Sequence, residues 1–109
     1  MESDGQIDRL LPRVGGLLGD PISFKGDAGN VNETIEPGYY GVNMSGAGTT
    51  NAPSNLGTLI VLNGKVNYAG GGKPIVQIQI TNTASEIYVR SKWVNSWYNW
   101  KKFTLSSVE

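Results

Sequence analysis

Tyr88, Arg90, Lys92, Trp93, Trp97, Tyr98, Trp100, Lys101 and Lys102 crowd into the last part of the chain, and all three tryptophans of the protein are among them. Indole and phenol rings offer flat apolar faces that stack on the C–H faces of sugars. Arg, Lys, Asn and Gln add hydrogen bonds to hydroxyls or carboxylates. The chemistry this supports is recognition without turnover, with Tyr88, Arg90, Trp93, Tyr98 and Trp100 as candidate ligand contacts and Asn51 from a separate loop. Packing is the competing use of the same residues, because a domain with only two Phe must build its core from Trp, Tyr, Ile, Val and Leu. Trp is highly buried on average, so two of the three tryptophans are expected in the core.

Catalytic chemistry is poorly supplied. The chain has no His and no Cys, which removes His-based triads, thiol nucleophiles, disulfides and the usual zinc ligand sets. Ser45 sits in Asn43-Met44-Ser45-Gly46, half of a nucleophile elbow that lacks its first Gly and any histidine to activate the hydroxyl. Gly70-Gly71-Gly72-Lys73 fails the phosphate-loop spacing twice, at Asn67 and at Pro74. Asp20, Asp27, Glu33 and Glu36 could supply a carboxylate pair, yet their spacing fits no calcium loop, and acidic residues in Gly-rich turns are usually just solvated. The expectation is a protein with no catalytic residue, no metal and no cofactor.

The nine basic and nine acidic side chains cancel. That argues against a nucleic-acid binder held by long-range attraction. No apolar run is long enough for a membrane helix, and Met-Glu-Ser-Asp-Gly is no signal peptide, so the chain reads as made in a cytoplasm without membrane insertion.

The elements that must position these residues read as short strands. Fifteen glycines in 109 residues, with modest charge, favour an all-β fold, mainly antiparallel. Residues 1–32 form a segment apart. Leu10, Leu11, Val14, Leu17 and Leu18 make an apolar stripe on a stretch broken by Pro12 and Gly15-Gly16, which cannot bury itself and suits oligomerisation. The main domain is expected over 33–109. Within it, Tyr39–Asn43 and Thr58–Leu62 read as strands, with Ser45–Asn55 as an exposed loop between them. Asn63-Gly64 reads as a two-residue hairpin returning through Lys65–Ala69, followed by a glycine turn. The next strand carries Ile75, Val76, Ile78 and Ile80, with Gln77 and Gln79 on its wetter face. A final hairpin pairs Tyr88–Trp93 with Trp97–Phe103 around Val94-Asn95-Ser96.

The order Glu36-Pro37-Gly38-Tyr39-Tyr40-Gly41-Val42, Thr50-Asn51-Ala52-Pro53-Ser54, Gly57-Thr58-Leu59-Ile60-Val61, Gln77-Ile78-Gln79-Ile80, Ile87-Tyr88-Val89-Arg90 and Ser96-Trp97-Tyr98-Asn99-Trp100-Lys101-Lys102 resembles the knob domain of bacteriophage tail fibres and R-type pyocin fibres. The resemblance spans residues 33–104. Leu11-Pro12-Arg13-Val14-Gly15-Gly16 is similar to segments that recur in fibre shafts, from which Leu17 and Gly19-Asp20 depart. It implies a small knob-like β domain preceded by an extended N-terminal oligomerisation segment. It further implies a homotrimer on a virion tail fibre, joined to other tail-fibre or baseplate proteins, that recognises a bacterial surface glycan. Two rivals stand beside adhesion: a structural spacer or trimer clamp with no ligand of its own, and capsule depolymerisation by a carboxylate pair such as Asp27 and Glu33.

Overall fold

A computed structural model describes residues 23–64 and 74–108 of the chain. The Leu10, Leu11, Val14, Leu17 and Leu18 stripe, the returning strand expected at Lys65–Ala69 and the glycine turn lie outside the described residues. Seven strands build one sheet: β1 (Phe24–Asp27), β2 (Gly38–Asn43), β3 (Leu56–Asn63), β4 (Ile75–Thr81), β5 (Glu86–Trp93), β6 (Ser96–Trp97) and β7 (Lys101–Thr104). Their order is β1-β2-β3-β4-β5-β6, with β7 also on β5. Only the β1–β2 pair is parallel, so the fold is all-β and mainly antiparallel, as the composition implied.

Asn63-Gly64 does not turn. Asn63 pairs with Ile75, and the Gly64 N–H donates to the Pro74 carbonyl at 2.9 Å, so β3 continues straight and its partner is β4. β1, Ala28 and Val31 all lie before the boundary expected at residue 33, yet they join the sheet and its core.

One face of the sheet is covered by two irregular segments. Residues 28–34 leave β1, make a single 3₁₀ turn at Val31–Glu33 and run beside residues 49–51, with Val31 N–H donating to Thr50 O and Thr50 N–H to Gly29 O. The Thr49 hydroxyl is buried and donates to Ala28 O at 2.6 Å. Ser45–Asn55 is therefore only partly the exposed loop expected of it, since Thr49 is buried and Ala52 packs against the core. Ala28 and Val31 press onto Tyr40, Val42, Leu59 and Val61 to form that core. Gly57, between Val42 and Thr81, allows close strand approach, because a Cβ there would collide with the Ile80 carbonyl.

Alternation then dictates a result opposite to the sequence expectation. Leu59 and Val61 pair with Gln79 and Gln77, so the glutamines of β4 share the covered face, and both are fully buried at 0% exposure. The physical reason is the irregular backbone above them. Its carbonyls have no strand partners, and a buried acceptor left unpaired is costly. Gln77 Nε2 donates to Val31 O at 2.7 Å and Thr34 O at 2.8 Å, and Gln79 Nε2 donates to Ser54 O at 3.0 Å. Val76, Ile78 and Ile80 consequently point to the other face. There they join Tyr39, Ile60, Leu62, Ile87, Val89 and Phe103 in an apolar surface that nothing among the described residues covers.

Gln77→Leu removes the donors to two carbonyls and an acceptor as well, and should cost about 3 kcal/mol. Gln79→Leu removes one bond together with a buried oxygen, Oε1, that has no hydrogen-bond partner. It should cost about 1 kcal/mol or less. Urea unfolding midpoints of the two variants check the difference.

Candidate functional site

Arg90 is the hub of the tryptophan segment. It lies on β5 opposite Gln77 and is 8% exposed. Its Nε–H donates to Gln77 Oε1 at 2.8 Å, and a terminal N–H donates to Asn32 Oδ1 at 2.9 Å. The guanidinium carbon stands 4.0 Å from the Trp97 ring centroid and 4.3 Å from that of Trp100, within cation–π range of both. Trp97 also donates its indole N–H to Asn32 O at 3.0 Å. Burial pulls the Arg90 pKa down to about 10. It stays a cation at neutral pH, paired through hydrogen bonds and ring faces rather than by a carboxylate. The chain Val31–Gln77–Arg90–Trp97 thus ties the covering segment to the terminal hairpin.

That hairpin forms where expected. Trp93 pairs with Ser96 and Lys92 with Trp97, leaving Val94 and Asn95 as a two-residue turn. Val94 has φ 59°, a left-handed conformation that a β-branched side chain adopts only under strain. Beyond Trp97 the three residues Tyr98, Asn99 and Trp100 stand against the two residues Ser91 and Arg90 before pairing resumes at Val89↔Lys101, which is a β-bulge. The bulge shifts the alternation. Trp97 and Trp100 both meet Arg90 on the covered face, while Tyr98 follows Trp97 onto the outer face, its N–H donating to Ser91 O at 2.9 Å.

On the outer face the bulge borders two open grooves that share Ser91 and Tyr98. One, of about 390 Å³, is lined by Val76, Val89, Arg90, Ser91, Tyr98, Asn99 and Lys101. The other, of about 260 Å³, is lined by Pro74, Ser91, Lys92, Trp93 and Tyr98. A valine floor, the Trp93 and Tyr98 rings, the Ser91 hydroxyl, the Asn99 amide and the Lys92 and Lys101 ammonium groups make a surface suited to a polar ring with an apolar face.

The residues singled out from sequence therefore separate into groups. Trp93 and Tyr98 meet at the grooves. Trp100 packs with Arg90 and against the core on the covered face. Tyr88 donates its hydroxyl to Glu86 Oε1 at 2.8 Å, which raises its pKa, and Glu86 also lies 3.5 Å from Lys102 Nζ. Asn51 is remote from all of these in register, donating to Asn30 Oδ1 at 2.8 Å with φ 63°. No tryptophan is fully buried, against the two expected in the core; all three are half-buried, and Tyr98 and Phe103 are the exposed aromatics of this hairpin. Ser91, the regular partner of Tyr98 across the hairpin, and Asn99 escaped sequence reasoning because their share in the groove depends on which face is open and on the bulge that follows Tyr98. Among the described residues no group of three His, Cys, Asp or Glu could hold a metal ion, and no helix is long and apolar enough to cross a membrane.

Compared with known proteins, the chain matches no family model, no curated protein and no solved structure.

Arg90→Lys keeps a charge but loses the fork that reaches Gln77 and Asn32, and should cost about 2 kcal/mol. The same variant should shift tryptophan emission to the red, read in one urea titration. Val94→Gly relieves the turn strain and should raise stability by about 1 kcal/mol, a gain that a thermal melt would register.

Proposed function

We propose that the protein is a non-catalytic knob of a phage or prophage tail fibre that adheres to a bacterial surface polysaccharide as a trimer. The observation that carries the reading is the pair of grooves around Tyr98, where exposed aromatic surface lies beside Ser91 and Asn99. A sugar ring stacks on the phenol while its hydroxyls reach the amide and serine. Affinity per site is low and is multiplied by copies acting together. The order of motifs that resembles tail-fibre knobs supplies the context of virion, host surface and partner fibre proteins.

A second reading, the structural spacer, is favoured by one finding. Trp97 and Trp100 are engaged with Arg90, so the rings that looked most like a sugar platform serve packing.

A screen of the purified protein against intact cells and extracted polysaccharides separates the two. Adhesion predicts saturable binding to at least one glycan, weakened about tenfold or more by Tyr98→Ala, in line with the loss of a stacking aromatic anchor. Asn51→Ala should leave that binding unchanged. A blank screen across candidate hosts favours the spacer, and binding lost in Asn51→Ala but kept in Tyr98→Ala moves the site to the covering segments around Asn30 and Asn51.

A further inference from the structure

We infer that the outer face of the sheet is the surface on which copies of this chain pack against one another. The inference rests on the assembly part of the adhesion reading, and the face shares Val89 and Lys101 with the larger groove at its β7 edge, so the sugar site lies at the margin of the interface.

A stable domain buries its sheet between two layers. Here one layer is supplied by the irregular segments, and the described residues supply nothing for the other. Register places Tyr39, Ile60, Ile78 and Val89 in one continuous row across β2 to β5, with Ile80 and Ile87 adjacent in the next. Such a row is the inner face of a sandwich or prism turned to solvent. The alternating glutamines on the opposite face show that β4 carries polar side chains where they are needed, so the isoleucines here are not a default of strand composition.

Size and charge point to the chain itself as the occupant. The five strands β2, β3, β4, β5 and β7 share this face. Strands spaced ~4.8 Å apart and ~20 Å long present a planar area on the order of 500 Å². Side-chain relief raises this toward the roughly 800 Å² per partner of a standard interface. Of the strand residues described, the face carries two charged side chains, at opposite edges. Asp27 pairs with Gly41 at the β1 edge, its carboxylate occupying the space a Cβ of Gly41 would take, and Lys101 pairs with Val89 at the β7 edge. Copies arranged edge to edge around an axis bring the acidic edge of one against the basic edge of the next, with the isoleucines turned inward. A charged partner would find no other charged strand residue on this face among those described, and the neutral whole chain sets up no repulsion between copies.

Light scattering on the full chain at micromolar concentration is the test. The expected mass is a multiple of 11.7 kDa; two or three copies both support the face, and only three supports the fibre reading. Ile78→Glu should weaken association by ~100-fold or more, because it places an unpaired charge in the interface. Far-UV circular dichroism and the tryptophan emission set by Arg90 should stay unchanged, since the covered core is untouched. Ile60→Glu, on the neighbouring strand, repeats the test at a second position. Asp27→Lys should weaken association by ~10-fold, as a like-charge edge contact does, and the double exchange Asp27→Lys with Lys101→Asp should restore it. A monomeric wild-type chain overturns the inference, as does an assembly that keeps its mass in both glutamate variants. A double exchange no stronger than Asp27→Lys overturns the edge-to-edge arrangement. Glycan binding by a dispersed Ile78→Glu monomer would leave the adhesion reading standing on its own.

Discussion

Unpaired backbone carbonyls over the sheet are the constraint from which the rest of the structure follows. Residues 28–34 and 49–54 cover β2 to β5 without forming strands of their own, so the Val31, Thr34 and Ser54 carbonyls, and that of the exposed Asn32, turn to the sheet, with only Val31 O also met by a backbone N–H, from Thr34. Desolvating such groups unpaired costs kilocalories each, which for a domain of this size is a sizeable share of its whole stability. Side chains must close the account. Gln77, Gln79 and Trp97 do so, and every one of them comes from the sheet or its terminal hairpin, while Arg90 ties in the Asn32 side chain. A sheet serving such a cover needs donors on its buried face. Its alternate residues are then released to be apolar and outward.

The same constraint assigns the tryptophans their work. Arg90 is buried because Gln77 needs a donor for its oxygen once its nitrogen serves Val31 and Thr34. A buried guanidinium needs compensation, and the ring faces of Trp97 and Trp100 give it without a counter-charge. Holding both rings over one cation requires an extra residue between them, and the bulge at Tyr98–Trp100 provides it. Tyr98 faces the opposite side by alternation from Trp97, and it is Trp100 that the bulge returns to the covered face. The outer grooves and the packing cluster are two sides of this one strand.

Much of this was legible in the sequence, and what was not has a common cause. Strand positions and the terminal hairpin follow from local signals: β-branched and aromatic runs, Pro37-Gly38, and a short loop at Val94-Asn95. Alternation in Val76–Thr81 shows that the two faces differ, but not which one is covered. The covering layer is irregular, carries no period, and inverts the usual meaning of glutamine. Asn63-Gly64 misled for a related reason, since a dipeptide favours a turn only when nothing stronger extends the strand, and here the ladder with β4 runs through it. Ser91 meets Tyr98 through the regular hairpin register, but the placing of Asn99 and Trp100 depends on a bulge that no propensity announces. Asn51 and Asn30 face each other across a contact between segments 21 residues apart in sequence, where local reading has nothing to say.

A sheet that buries Gln77, Gln79 and Arg90 beside a small apolar core and leaves its other, apolar face open is a poor design for a solitary domain and a sensible one for a protomer. Apolar burial is non-directional and scales with area, so under the inferred assembly the open face supplies strength, while the core and the directional hydrogen bonds inside each copy keep the protomer's shape before assembly. Under the adhesion reading this division also suits weak recognition. A shallow groove beside Tyr98 holds a sugar loosely because little of either surface is enclosed, and only copies held in fixed relation turn weak contacts into attachment. Rigid presentation then matters more than the affinity of any one site. Rigidity at the groove comes from behind it, where Arg90, fixed by Gln77 and Asn32, holds Trp97 and Trp100 on either side of the residues that line it.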